Sequence, residues 1–154
     1  MTFEIVPMTE QHIERAAALE RECFSAPWSE NSLREELSNE QSHFLCAMSD
    51  GSFAGYVGVQ EIAGEAYITN VAVFPEYRRR GAGKELLTAA ERGASERGCS
   101  FITLEVRAGN SAAASLYRKL GYRAVGIRRN FYTCPKEDAV IMTKNLTDEE
   151  KRNF

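Results

Sequence analysis

The segment from Asn70 to Leu87 reads NVAVFPEYRRRGAGKELL. Val71, Ala72 and Val73 close an extended run, and Pro75 ends it. From Gly83 to Arg97 the pattern is helical, with Leu86, Leu87, Ala90 and Ala94 on one face. The apolar run FITLEV, Phe101 to Val106, follows as a strand. A strand, a helix and a second strand in this order form a crossover, and a crossover requires a parallel pair. Where the helix begins stand Gly81, Ala82 and Gly83, with Arg78, Arg79, Arg80 and Lys84 around them. A helix N-terminus has unpaired N–H groups and a partial positive charge, so it attracts phosphate. Glycines there let a ligand approach the backbone. The segment thus reads either as a pyrophosphate cradle or as a solvated basic turn.

Working outward, FEIVP (Phe3 to Pro7) is a short strand. Thr9 caps a helix that turns Ile13, Ala16, Ala17, Cys23 and Phe24 inward, and Ser29 caps a second helix through Leu37. HFLCAM (His43 to Met48), Asp50-Gly51 and FAGYVGVQEI (Phe53 to Ile62) make a hairpin. Ala63-Gly64 turns the chain into EAYITNVAVF, Glu65 to Phe74. After the crossover, Asn110 caps a helix striped by Ala113, Leu116, Tyr117 and Leu120, and Gly121 stops it. YRAVGIRR (Tyr122 to Arg129) and AVIMTK (Ala139 to Lys144) are closing strands. The order β-α-α-β-β-β-α-β-α-β-β predicts a mixed α/β (α+β) fold. Its sheet is mostly antiparallel around a parallel β-α-β core, with helices on both faces. No linker or repeat divides residues 1–154, which read as one domain. The last residues, TDEEKRNF, read as a frayed polar tail.

Composition excludes several classes. A net charge of -3 argues against binding nucleic acid by bulk charge. No apolar run approaches the ~20 residues that span a membrane. The N-terminus MTFEIVPMTE carries an acid where a signal peptide carries basic residues. Cys23, Cys46, Cys99 and Cys134 are scattered, and neither His12 nor His43 stands at ligand spacing from them. Free thiols in a cytoplasmic setting are expected, with no metal.

The basic turn excludes two nucleotide motifs. A P-loop would need glycine at Arg78 and a hydroxyl at Glu85. A dinucleotide G-x-G-x-x-G would need glycine at Leu86. What remains is a metal-free diphosphate held by backbone amides.

Arg78-Arg79-Arg80-Gly81-Ala82-Gly83 resembles the [QR]-x-x-G-x-[GA] signature of the GNAT acetyltransferase superfamily. The resemblance runs on through NVAVFPEYRRRG, LEVRAGNSAAASLYRKLGY and RRNFY, and takes in PWS and EDAVIM. It is strongest to the superfamily's branch that acetylates the N-terminal alanine of a ribosomal protein. That resemblance implies acetyl-CoA as co-substrate, bound by Arg78 to Lys84, by the backbone of Val71, Ala72 and Val73, and by Asn110. It implies Glu105 as general base and Tyr117 as the acid that protonates the leaving thiolate while touching the coenzyme. By periodicity alone Tyr117 is a core aromatic, Asn110 an N-cap and Glu105 a strand residue alternating outward. Trp28, Asn130, Phe131 and Tyr132 are implied to flank an incoming N-terminal peptide, although each could equally pack under a loop. Phe131 replaces a tyrosine common in relatives. A monomer or weak dimer is expected, with neither nucleic acid nor membrane as partner. The alternatives are a family member acting on a lysine side chain or small amine, and a non-catalytic acetyl-CoA-binding module.

Overall fold

A computed structural model describes residues 2–147. The strands are β1 (Glu4–Pro7), β2 (Ser42–Ser49), β3 (Ser52–Ile62), β4 (Glu65–Val73), β5 (Phe101–Arg107), β6 (Arg123–Thr133) and β7 (Lys136–Asn145). The helices are α1 (Glu10–Cys23), α2 (Glu30–Leu37), α3 (Ala82–Glu96) and α4 (Ser111–Lys119), with a 3-10 turn at Pro75–Tyr77. The element order is the one the sequence predicts. Most of the polar tail lies outside the described residues.

The strands form one sheet in the order β1-β2-β3-β4-β5-β7-β6. Only β4 and β5 are parallel, as the crossover through α3 demands. Leu86, Leu87, Ala90 and Ala94 are fully or almost fully buried against Val57, Val59, Ala66, Ile68, Ile102 and Leu104. Burial of each leucine contributes roughly 1.5–3 kcal/mol over leaving it in water. α4 packs on this same face through Tyr117, which meets Tyr122 just beyond the helix. α1 and α2 cover the opposite face, but only over β2, β3 and the end of β4, through Phe44, Cys46, Tyr56 and Ala72.

The expected faces of two helices are buried except at their margins. In α1 the buried residues are Ile13, Ala16, Ala17, Leu19 and Glu20. Cys23 is half-buried and Phe24 is 37% exposed, because Phe24 is the extended C-cap and the helix ends before it. In α4 only Tyr117 is buried, and Leu116 lies at the helix margin, 39% exposed. RRNFY, expected to begin at the end of a short strand, lies wholly within a longer β6. All four cysteines are free thiols. No helix among the described residues is long and apolar enough to cross a membrane.

Candidate active site

The parallel pair is short. β4 and β5 are in register only from Glu65/Phe101 to Tyr67/Thr103. Past that point β4 continues beside β3 to Val73, and β5 continues beside β7 to Arg107. The sheet therefore splays between them. Among the described residues, those backbone groups of Val71, Ala72 and Val73 that point away from β3 face this gap with no ladder partner, and of them the Val73 carbonyl takes the Arg78 guanidinium. Unpaired strand groups need a partner, and an extended chain with amides suits them.

The turn after β4 sits at one end of the gap. Gly81 is the N-cap of α3 at φ 92, in the left-handed region that only glycine occupies without strain. The Glu85 N–H closes the first turn onto the Gly81 carbonyl at 3.0 Å. The N–H groups of Ala82, Gly83 and Lys84 precede that bond and point out of the helix end. A β-carbon added to Gly83 would meet no other atom within 4 Å, so the space beside this backbone is open. Arg79, Arg80 and Lys84 are exposed around it. Arg78 is also exposed, but its guanidinium is committed elsewhere. It donates to the Val73 carbonyl at 2.9 Å and to Cys23 Sγ at 3.4 Å, tying the turn to the end of β4. These features fit a diphosphate with a pantetheine-like arm. The cations suit the one and the unpaired strand edge suits the other.

Glu105 lies on β5, two residues past the point where pairing stops. Strand alternation puts it on the face that α1 and α2 leave uncovered, with Thr103 and Tyr67. The Tyr67 hydroxyl donates to Glu105 Oε2 at 2.9 Å. Arg128 Nε stands 3.4 Å from Glu105 Oε1. The Glu105 side chain is 6% exposed, whereas Arg128 is 57% exposed. Burial, and then the hydrogen bond to Glu105, push the Tyr67 phenol above its ordinary range.

Tyr117 approaches from the other face. It is 8% exposed and packs on Tyr122 with ring centres 5.8 Å apart. Tyr56, Tyr67 and Tyr122 each donate to a carboxylate, respectively Glu20, Glu105 and Glu91. Among the described residues the Tyr117 hydroxyl has no such acceptor. Burial, and secondarily nearby Tyr132, push its phenol up to about 12. The side chain is therefore a neutral O–H donor throughout the physiological range. Asn110 caps α4 by accepting the Ala113 N–H at 3.1 Å, so its amide group sits at the same end of β5.

The RRNFY segment leaves its ladder. Register with β7 breaks between Arg128 and Tyr132, and Asn130 takes φ 55. The Asn130 N–H is held by Asp138 Oδ1 at 2.8 Å. Arg107 fixes this hairpin to β5. It stacks 4.1 Å over the Tyr132 ring, pairs with Glu137 at 3.2 Å, and donates to the carbonyls of Cys134 and Pro135. Burial, and then the nearby Glu105, push the Tyr132 phenol above its ordinary range. Phe131 is 45% exposed and meets Tyr132 edge-on at 5.1 Å. Trp28 is half-buried against Phe44 at 5.9 Å, on the face that carries Glu105.

The structure thus gathers Glu105 and Tyr132 around one point, with Tyr117 opposite and the basic turn at the end of the gap. Sequence reasoning missed Tyr67, Arg128 and Arg107. Tyr67 alternates outward in EAYITN, a signal that the polar alternation of that strand could have supplied. Among the described residues no group of three or more His, Cys, Asp or Glu side chains could hold a metal.

The profile of the acetyltransferase (GNAT) family matches residues 13–122. A Bacillus subtilis relative is 38% identical over 139 residues, covering 90% of this chain and 92% of its own. The [ribosomal protein bS18]-alanine N-acetyltransferase of Escherichia coli K12 is 36% identical over 126 residues, 80% of this chain and 84% of its own. The crystal structure of the ribosomal-protein-S18-alanine N-acetyltransferase from Escherichia coli superposes with a TM-score of 0.86 at 32% identity, covering 95% of each chain. Arabidopsis thaliana NAA60, solved with acetyl-CoA, shares the fold at a TM-score of 0.83 and 20% identity, over 94% of this chain and 98% of its own.

Proposed function

This chain belongs to the GNAT acetyltransferase family, and on that premise we propose that it transfers the acetyl group of acetyl-CoA to the α-amine of an N-terminal alanine, that of ribosomal protein bS18. The observation that carries this reading is the splay between β4 and β5, with Glu105 on one face and Tyr117 on the other. An acetyl donor lying in the gap would meet its acceptor from the open face. The names of the relatives support bS18 as that acceptor, and the bulged RRNFY hairpin beside Glu105 gives a peptide something to lie against.

The chain's own residues divide the work. The N–H groups of Ala82, Gly83 and Lys84, with Arg79, Arg80 and Lys84, hold the diphosphate, while Arg78 fixes the turn. The backbone of Val71 to Val73 and the Asn110 amide hold the pantetheine arm. Bound there, the coenzyme supplies an activated acetyl thioester. Glu105 accepts the proton that the amine loses, directly or through one water. Tyr67 and Arg128 orient its carboxylate. Tyr117 donates a proton to the departing sulfur and regains one from solvent, to which Glu105 releases the proton it took. The transfers balance on Glu105 and Tyr117, so we place no metal in the reaction. Trp28, Asn130, Phe131 and Tyr132 border the acceptor, in a single-domain enzyme working in the cytoplasm, where ribosomes are assembled.

An α-amine has a pKa near ~8 and a lysine side chain near ~10.4. One carboxylate base therefore suits the α-amine better. The test is competition at neutral pH between a peptide with a free N-terminal alanine and one with a blocked N-terminus and an internal lysine, read by mass spectrometry. The alanine peptide should be acetylated. Preference for the lysine peptide would reassign the enzyme to side-chain amines.

A further inference from the structure

α1 contributes a carboxylate that the reaction does not use. Glu20 is 0% exposed, and both of its oxygens are occupied. Oε1 accepts the Trp28 N–H at 2.9 Å. Oε2 accepts the Tyr56 hydroxyl at 2.6 Å and the Asn70 amide at 2.8 Å. The Asn70 amide also reaches the Tyr56 hydroxyl at 3.1 Å. One side chain of α1 thus joins β3, β4 and the connection between α1 and α2.

Both attachments lie beside the acceptor region. Register between β3 and β4 shifts between Gly58 and Val59, so Thr69 is the extra residue of a bulge and Asn70 follows it. Gly58 is required there, because a β-carbon would come within 2.5 Å of Thr69 Oγ1 and 2.7 Å of the Phe44 ring. Phe44 in turn carries Trp28. Tyr67, the partner of Glu105, is three residues before Asn70 on the same strand. Trp28 is the residue before Ser29, whose hydroxyl caps α2 through the Ser32 N–H at 3.1 Å. A fixed Trp28 therefore fixes the start of α2.

We propose that Glu20 is a positioning residue for the acceptor. By holding the Trp28 backbone and the Asn70 bulge to one carboxylate, it keeps the α1–α2 connection in register with the Tyr67–Glu105 pair. A buried charge with three donors costs a great deal to leave half-paired. That makes the connection rigid before the peptide arrives, which lowers the ordering cost of binding. This inference rests on the peptide-acceptor reading above.

The test uses Glu20→Gln, which keeps the shape but replaces one acceptor oxygen by an N–H donor group: with its oxygen kept on the Tyr56 and Asn70 donors, the introduced amide nitrogen faces the Trp28 N–H, donor facing donor. For a peptide beginning with alanine, KM should rise about ten-fold or more while kcat stays within about three-fold. The calorimetric Kd for acetyl-CoA should not change. The chain has one tryptophan, so its emission reports on residue 28 directly and should shift to the red. The double variant E20Q/N70D restores a donor–acceptor pair, and it should bring back both the peptide KM and the emission. Tyr56→Phe, which leaves the Trp28 bond intact, should raise KM less than Glu20→Gln does. Should Glu20→Gln not fold, the double variant and Tyr56→Phe carry the same comparison. A fall in kcat at unchanged peptide KM overturns the proposal. So do wild-type KM and emission together, or a double variant that recovers thermal stability without recovering KM. If the wild type acetylates no peptide, the acceptor reading itself fails, and the emission of the variants alone decides whether Glu20 positions Trp28.

Discussion

Two carboxylates on the same side of the sheet each accept a tyrosine hydroxyl, yet their surroundings differ. Glu20 lies where α1 and α2 cover the strands, and three donors occupy both oxygens. Glu105 lies where that cover stops, next to the splay, with Tyr67 on one oxygen and an exposed arginine by the other. Both side chains are nearly removed from water, so burial does not separate them. What separates them is spare acceptor capacity beside a gap where a ligand can lie. A carboxylate held by three fixed donors holds structure, whereas one with a replaceable partner can take a proton.

Changes on the Glu105 side should strike turnover. The largest loss is expected from Tyr117→Phe, which removes the donor to the leaving sulfur and leaves the ring packed on Tyr122. Steady-state kinetics should show kcat down roughly 100-fold or more, with thermal stability little moved. Near-normal turnover would make Tyr117 a core aromatic only.

Gly83→Val should weaken coenzyme binding by about ten-fold or more, because the side chain fills the space beside the helix N-terminus, where N–H groups and dipole favour an anion. No other atom stands near that β-carbon, so the fold should survive. Calorimetry giving an unchanged acetyl-CoA Kd would remove the turn from the coenzyme site.

Tyr67→Phe tests the pairing itself. Glu105 keeps Arg128 but loses its buried donor, which should lower kcat by about ten-fold, with the peptide KM moving little. A larger rise in KM than fall in kcat would give Tyr67 the role argued for Glu20, and the contrast between the two carboxylates would collapse.

The smallest effect concerns alkaline pH. The folded protein holds the Tyr117 proton up to about 12, above the ~10 of a free phenol. Its contribution to stability is complete below pH ~10 and is lost as pH rises through about 12. The kcat profile should therefore show no loss of the Tyr117 proton at pH ~10. A break there that disappears in Tyr117→Phe would mean the phenol is solvated.

Much of this was legible in the sequence. The crossover around RRRGAG fixes the parallel pair, and strand-turn-helix spacing marks the start of α3 to within one residue. Glu105 and Tyr117 entered through family resemblance, since periodicity alone read them as a strand residue and a core aromatic. Glu20 was visible and passed over. It falls at i+7, i+4 and i+3 from Ile13, Ala16 and Ala17, directly on the apolar stripe of α1. A charge on such a stripe is either buried with partners or fatal to the packing, and spacing cannot say which. Alternation places Tyr67 outward on β4, but its partner, like that of Arg128, was beyond local reading for another reason. Their contact with Glu105 depends on where the parallel ladder stops and on the bulge in β6, neither of which neighbouring residues encode.

The most direct test of the account is the pH dependence of kcat/KM for wild type and Glu105→Gln on a peptide beginning with alanine. Below the amine pKa of ~8 the substrate is mostly protonated and needs a base, and above it free amine is abundant. The deficit of Glu105→Gln should be greatest near pH ~6 and shrink steadily toward pH ~9. A deficit of the same size at every pH would contradict the account, because Glu105 would then be orienting the peptide, as Glu20 is argued to do, and taking no proton.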